Sequence, residues 1–372
     1  MAVNVAKVEF ARPLYQLRNK VRVAINGFGT IGRALTWAIY GAGIKDLEIV
    51  AINDRFSTVQ LARALRRDSV YGKFPGSVVA EGNALEIDGQ ELEVFAEEDP
   101  AKLPWKRLEV DLVFDATGRF LDLDGAMKHV SAGAKKVVLS APHKEEADPG
   151  KIQTIVLGAN EGELDVRNVD VFSNGSCTTN CLAPATKVLS SFGLEWLRMT
   201  TDHAYTMDQR LLDCPHDDSR RGRAAGLSQI ITTTGAAKAV GLVLPDLIGK
   251  ADGIAVRVPT PTVSLVDVTA VLKTEVTKDE LLDAFRAAAA GPMKDILAVE
   301  EEPLVSKDFE GDPRSSTIDA PATTVLFADK DNGDKGNIVN VLSWYDNVWG
   351  FSNRFRDLAM LIASEMQKDG LK

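Results

Sequence analysis

Histidine and cysteine are scarce in this chain of 372 residues, with four of the first and three of the second. An odd number of cysteines suits no closed disulfide framework. Residues 1–20 lack the apolar centre of an export signal, so a reducing, cytoplasmic setting is expected. Cys177 and Cys181 stand in a C-x-x-x-C spacing that zinc knuckles do not use, and no metal is expected. A cationic surplus is also missing. The 43 Lys and Arg face 53 Asp and Glu, for a net charge of -10. That argues against nucleic acid as a partner, because phosphate backbones require a basic surface. Long apolar runs are absent too: none nears the ~20 residues that span a bilayer, and no membrane partner is expected.

What is present is an ordinary globular composition, 45% hydrophobic and 26% charged, in a chain long enough for two domains. Residues 1–20 are weakly basic and read as an N-terminal arm or frayed extension. A remnant of an organelle-targeting segment is the lesser alternative.

The first organised stretch is VRVAIN at 21–26, short, β-branched and apolar. It runs into Gly27-Phe28-Gly29-Thr30-Ile31-Gly32, a G-x-G-x-x-G, and then into a helical pattern carrying Leu35, Ile39 and Tyr40. A second strand pattern at 47–52 ends in Asn53-Asp54. Strand, glycine turn, helix, strand and an acidic residue about twenty positions on are the parts of a dinucleotide-binding βαβ unit. Gly27 permits the tight turn, Gly29 lets backbone approach a pyrophosphate, and Gly32 lets helix and strand pack closely. The helix start offers free N–H groups to phosphate, and Asp54 can accept from an adenosine ribose. Later strand ends at Thr117-Gly118 and Ser140-Ala141-Pro142 would line the same crevice.

After Asn174 the pattern changes. Residues 252–276 alternate and are β-branched, which predicts a mainly antiparallel sheet with one covered face. Thr277-Lys278-Asp279-Glu280 predicts a capping box opening an Ala-rich helix over 281–290. A strand is expected over 338–344, an exposed hairpin loop over 329–337 and a final amphipathic helix over 355–367.

Chemistry concentrates in SNGSCTTNCLAP at 173–184. Cys177 sits at a turn leading into a helical run, where unpaired N–H groups stabilise a thiolate and can also receive an oxyanion. Pro184 inside that run implies a kink or a distorted first turn. A thiol nucleophile needs a base, and His203, which ends a strand-like run, follows in the right order for a thiol–imidazole pair.

SNGSCTTNCLAP, HAYTMDQRLLD, TTTGAAKAVGLVLP, RVPTPTVSLVDVT and WYDNVWGFSNR closely resemble the glyceraldehyde-3-phosphate dehydrogenase family, as do INGFGTIGR and AINDRFS near the start. The resemblance runs in order from Val21 to the C-terminus. It implies an α/β fold with a Rossmann dinucleotide-binding domain over 21–175, completed by 346–372. An α+β catalytic domain with a mainly antiparallel sheet would occupy 176–345, and 1–20 would be an extension. The implied activity is phosphorylating oxidation of glyceraldehyde 3-phosphate, a step of glycolysis or gluconeogenesis. Cys177 would form a thioester with His203 as base, NAD or NADP would accept hydride, and inorganic phosphate would release the acyl phosphate.

The resemblance also implies the remaining site residues. Asn26, Gly27, Gly29, Thr30, Ile31, Gly32, Asp54, Thr117, Ser140 and Asn347 would meet the cofactor, Asn347 at its nicotinamide carboxamide. Ser176, Thr178, Thr234 and Gly235 match the site for attacking phosphate. Thr206, Asp208 and Arg257 match the site for the substrate's own phosphate. The loop over 211–223 implies a homotetramer. Departures cluster at the cofactor: Thr30 and Glu98 where Arg is usual, Gly175 for Ala, and Val348 and Phe351 around Asn347. Asp54 and Pro215 favour NAD, whereas Arg55 could pair with a 2′-phosphate. An erythrose-4-phosphate dehydrogenase and a degenerate paralogue binding nucleotide or protein are the alternative readings.

Overall fold

The computed structural model describes residues 8–144, 151–329 and 332–371. The start of the expected N-terminal arm and two residues of the expected hairpin, Lys330 and Asp331, lie outside the described residues. The chain forms two compact units.

The first unit takes the chain up to Ile155, then Glu161–Ser176 and Ser352–Lys372. Its elements are β1 (Val21–Asn26), α1 (Thr30–Gly41), β2 (Leu47–Asn53), α2 (Thr58–Arg66) and a short pair, β3 (Arg67–Asp68) and β4 (Gly72–Lys73). There follow β5 (Val78–Glu81), β6 (Ala84–Ile87), β7 (Gln90–Phe95), β8 (Leu112–Asp115), α3 (Leu123–Ser131), β9 (Lys136–Leu139), β10 (Ile152–Thr154) and β11 (Val171–Ser173). The sheet order is β10-β11-β9-β8-β1-β2-β7-β6-β5. The pairings from β10 across to β7 are parallel, and β5–β6 and β6–β7 are antiparallel. β8 and β9 are buried along their whole length, as strands of a parallel sheet covered on both faces must be, which is why their sequences are continuous apolar runs. β2 and β8 flank β1 on opposite sides, so the sheet's topological switch lies at the carboxyl ends of β1 and β8.

The described part of the N-terminal arm is anchored to this unit. Arg356, fully buried in the last helix, donates to the carbonyls of Ala11 and Ala38 at 3.2 Å each and pairs with Asp357 at 2.8 Å. The backbone N–H of Arg18 donates to Gln367 Oε1 at 2.8 Å.

The second unit holds Val156–Asn160 and Cys177–Phe351. Its elements are α4 (Cys177–Ser190), β12 (Leu194–Ala204), β13 (Ile230–Thr232), α5 (Ala236–Val243), β14 (Ala251–Val258), β15 (Ser264–Val276) and α6 (Lys278–Ala290). β16 (Leu297–Glu300), β17 (Ser316–Asp319), β18 (Thr324–Leu326) and β19 (Gly336–Tyr345) follow, before α7 (Trp349–Lys368) begins. The sheet order is β13-β14-β12-β15-β19-β17-β16, with β18 beside β19. Most pairings are antiparallel; β12–β14 and β16–β17 are parallel. β15 alternates between buried and half-buried over most of its length, as the period-two sequence requires when one face is covered. The cover includes α4, which packs on β15, β17 and β19.

Local details refine the sequence reading at some points and follow it at others. The alternating stretch 252–276 is two strands, because Pro259 and Pro261 cannot donate to a ladder. Pro184 lies inside α4 and does not end it. The capping box on α6 forms, with Glu280 N–H donating to Thr277 Oγ1 at 3.1 Å and Thr277 N–H to Glu280 Oε2 at 2.8 Å. Residues 346–351, grouped above with the cofactor domain, belong to the second unit.

Candidate active site

In the second unit, sheet register brings the key side chains together. β12 and β14 pair in parallel with His203 opposite Arg257. Both lie at the carboxyl ends of their strands, and Cys177 is the first residue of α4. Cys177 Sγ lies 3.3 Å from His203 Nε2. The other ring nitrogen, Nδ1, lies 2.7 Å from the carbonyl of Ala204 and 2.7 Å from Arg257 Nη1. A carbonyl only accepts and a guanidinium only donates, so Nδ1 bonds one or the other. Bonded to Ala204, it carries the ring proton and leaves the Nε2 lone pair facing the thiol, which is the tautomer a base requires.

Electrostatics sharpen that pairing. Burial, with the nearby Arg257 cation second, lowers His203 to about 4, so its imidazole is neutral near pH 7. Burial raises the Cys177 thiol above its usual range, and Arg257 and Thr178 oppose the shift. Burial thus favours a thiol beside a neutral imidazole, against the preformed thiolate that a helix start alone suggests. The α4 start still favours an anion formed on reaction, since its first turn carries no acidic residue.

Tyr345, the last residue of β19, was not singled out by sequence reasoning. Its hydroxyl lies 2.9 Å from Thr178 Oγ1 and 2.9 Å from Thr201 Oγ1, which ties α4 to β12. Its ring meets His203 edge-on, centroids 6.1 Å apart. The next residue, Asp346, accepts from the N–H groups of Val348 and Trp349 and so caps α7. Asn347 accepts from Ser264 Oγ at 3.1 Å through Oδ1, which leaves its amide NH2 as the group it can offer.

The residues expected to bind phosphate lie on the second unit's strand ends, helix starts and the loop after β12, except Ser176, which ends a stretch of the first unit. Thr234 and Gly235 form the start of α5, where Ala236 N–H donates to Thr234 Oγ1 and the first turn has no acidic residue. Asp208 is paired with Arg221 at 2.7 Å, and Arg221 also donates to Thr232 Oγ1 at 2.9 Å. Arg221 is a second cation acting on Arg257, a role no motif reading assigned to it. Its arginine-rich neighbourhood, SRRGR, was visible but does not say which arginine turns inward. Thr206 anchors the same segment, its N–H donating to Gln209 Oε1. Ser176 immediately precedes α4.

The first unit has the shape of a dinucleotide cradle. Gly27 has a φ of +93°, and a Cβ there would lie 2.8 Å from the backbone of Ala116 and Thr117. A Cβ on Gly32 would overlap the carbonyl oxygen of Gly27, whereas one on Gly29 would meet nothing. Open space at Gly29 stands before the start of α1, where Thr30 and Ile31 form a first turn with no side-chain cap and no acidic residue. Those unpaired N–H groups suit a pyrophosphate. Asp54 receives the Phe28 N–H at 2.7 Å, which holds the turn and leaves lone pairs for a ribose. Asn26 ends β1, and Thr117 and Ser140 follow the carboxyl ends of β8 and β9. The residues fit a dinucleotide.

Comparison with known proteins agrees with this geometry. Residues 21–123 match the family described as glyceraldehyde 3-phosphate dehydrogenase, NAD binding domain, and residues 176–347 match its C-terminal domain. The chain is 51% identical over 348 residues to a glyceraldehyde-3-phosphate dehydrogenase of Geobacillus stearothermophilus, covering 93% of this chain and 99% of that protein. It is also 51% identical, with the same coverage, to glyceraldehyde-3-phosphate dehydrogenase 1 of Bacillus subtilis (strain 168). It is 47% identical over 363 residues to the chloroplastic form A of Chlamydomonas reinhardtii, covering 96% of this chain and 94% of that protein.

Proposed function

This chain belongs to the glyceraldehyde-3-phosphate dehydrogenase family, and from that premise we infer how its residues carry out the reaction. It is an NAD-dependent enzyme that oxidises glyceraldehyde 3-phosphate. The observation that carries our assignment of the chemistry is the 3.3 Å approach of Cys177 Sγ to His203 Nε2.

His203 takes the thiol proton as Sγ bonds to the aldehyde carbon, and the N–H groups at the α4 start receive the resulting oxyanion. The α1 N–H groups and Asp54 would hold NAD at the glycine turn, and when bound it would supply the hydride acceptor. The His203 imidazolium returns its proton to the oxyanion, giving a hydroxyl, and takes it back as the carbon gives up its hydride and the carbonyl re-forms, leaving an acyl thioester on Cys177. An oxygen of inorganic phosphate then adds to the thioester carbon, the carbon–sulfur bond breaks, and the thiolate leaves. The product is an acyl phosphate. Asn347 offers its amide to the nicotinamide carboxamide.

The family resemblance implies two anion sites, and the residue chemistry suits them. Arg257 and Thr206 hold the substrate's own phosphate, and Asp208 enters through Arg221, since a carboxylate would repel a phosphate directly. Thr178, Thr234 and Gly235, with Ser176, receive the attacking phosphate. A phosphate on Arg257 would also relieve the repulsion that, second to burial, keeps the imidazole neutral.

The second unit exposes the large apolar side chains Met207, Leu211, Leu212, Leu227, Leu242 and Ile248. We assign this surface to contacts between copies in a homotetramer. A reducing cytoplasm suits the free thiols Cys177, Cys181 and Cys214. Among the described residues no helix is long and apolar enough to cross a membrane.

The test is single-turnover kinetics with and without inorganic phosphate. Cys177→Ser should lose nearly all oxidation while still binding NAD. The wild type should stall after one turnover until phosphate or arsenate is added. Full steady oxidation without either would exclude the phosphorolytic step.

A further inference from the structure

Beneath the glycine turn lies a buried polar chain that the chemistry above does not use. Asp115 ends β8 and Asn26 ends β1, at the switch point of the parallel sheet. Asp115 is 0% exposed and Asn26 2%. The Asp115 carboxylate accepts from Asn26 Nδ2 at 2.9 Å, from Thr117 N–H at 3.0 Å and from Thr117 Oγ1 at 2.6 Å. His129, on α3 and also 0% exposed, places Nε2 at 3.1 Å from the same carboxylate.

The direction of the bonds along this chain is set by groups that cannot reverse, and the 3.3 Å approach of His129 Nε2 to Asn26 Nδ2 is then a contact between two donors that both serve Asp115. At one end the indole N–H of Trp105 donates to His129 Nδ1 at 3.0 Å. An indole only donates, so Nδ1 is bare, the ring proton is on Nε2, and His129 donates to Asp115. At the other end the backbone of Glu97 donates to Asn53 Oδ1 and accepts from Asn53 Nδ2. That orients Asn53, whose Nδ2 also donates to Asn26 Oδ1 at 2.7 Å and turns the Asn26 NH2 towards Asp115. Asp115 is thus met only by donors, which is what a buried carboxylate needs.

What the chain holds in place is the glycine turn. Gly27 donates its N–H to the Asn53 carbonyl at 2.8 Å. Its Cα faces the Ala116–Thr117 peptide, so closely that a Cβ would stand 2.8 Å away, and Asp115 pins that peptide through Thr117. We propose that His129, as a fixed neutral tautomer set by Trp105, is a positioning residue for NAD: through Asp115 it holds Asn26 and Thr117 where the dinucleotide meets the glycine turn. The proposal rests on reading the first unit as the NAD-binding unit.

The test is calorimetric NAD binding to the full-length protein, with thermal midpoints and steady-state kinetics alongside. His129→Gln can still donate to Asp115 and accept from Trp105. His129→Leu can do neither. His129→Leu should raise the Kd and KM for NAD about tenfold or more, with kcat at saturating NAD within about threefold of wild type. His129→Gln should bind within about threefold of wild type, which a role in proton transfer would not allow. Trp105→Phe removes the donor and leaves a smaller aromatic ring in the same core, and it should also weaken NAD binding. It decides the matter if His129→Leu does not fold. Unchanged NAD affinity in the folded His129→Leu, or in Trp105→Phe, would overturn the proposal and make His129 core packing. Failure of the wild type to bind NAD would overturn the underlying reading of the first unit instead.

Discussion

At the scale of single residues, the site works because burial pushes two groups away from their solution behaviour. His203 falls to about 4 from an ordinary 6.5, first through burial and then through Arg257. The unfolded chain therefore binds a proton, between pH 6.5 and 4, that the folded chain refuses. The resulting stabilisation is complete above pH 6.5 and is lost as the pH falls towards 4, by about 3 kcal/mol. His203→Gln should flatten that part of the stability profile in denaturant titrations. An identical acid slope in wild type and variant would contradict it. Tyr345 makes the second residue-scale prediction. Thr201 is 0% exposed and Thr178 4%, and both reach the Tyr345 hydroxyl. Tyr345→Phe should cost about 1–3 kcal/mol, because it removes a buried hydrogen-bond partner from both hydroxyls. Equal urea midpoints for variant and wild type would show that other groups satisfy them.

Whole elements meet through glycine in the first unit. α1 can approach β1 only because Gly32 has no side chain, since a Cβ there would overlap the Gly27 carbonyl. Gly29 faces open space at the α1 start and has an ordinary extended backbone. The two glycines should therefore respond differently to the same change. Gly32→Ala should lower the thermal midpoint by several degrees, as overpacking costs about 1–3 kcal/mol. Gly29→Ala should leave that midpoint in place and weaken NAD alone, measured by quenching of intrinsic fluorescence. Equal effects on stability would show that Gly29 is structural as well.

For the molecule as a whole, the N-terminal arm is the feature beyond the family pattern, which begins at Val21. Arg356 is 0% exposed and takes one of its acceptors, the Ala11 carbonyl, from the arm. A buried guanidinium stripped of an acceptor is costly. Deletion of residues 1–20 should lower stability by about 1–3 kcal/mol with the KM for glyceraldehyde 3-phosphate unchanged. A variant as stable as wild type would mean that water replaces the arm. The exposed apolar residues from Met207 to Ile248 carry the assembly prediction. Light scattering at micromolar protein should give a mass near four chains, and the mass of a single chain would exclude the assembly.

The sequence by itself determined the elements and the chemistry wherever local pattern and motif coincide. The G-x-G-x-x-G between two apolar runs could only be a turn into a helix, and the Thr277–Glu280 pair could only open one. Cys177 and His203 were singled out through the family resemblance, since a Cys at a turn or a His at a strand end is by itself more often structural, and the fold sets the two 3.3 Å apart. Tertiary structure decided everything that depends on register and on buried surroundings. The parallel pairing of β12 with β14 set Arg257 beside His203, and no local pattern encodes a neighbour 54 residues away. Arg221 was selected from its arginine-rich loop by Asp208 and Thr232. The protonation of His203 and Cys177 is a property of dehydrated space, which only the closed packing of α4 on its sheet creates.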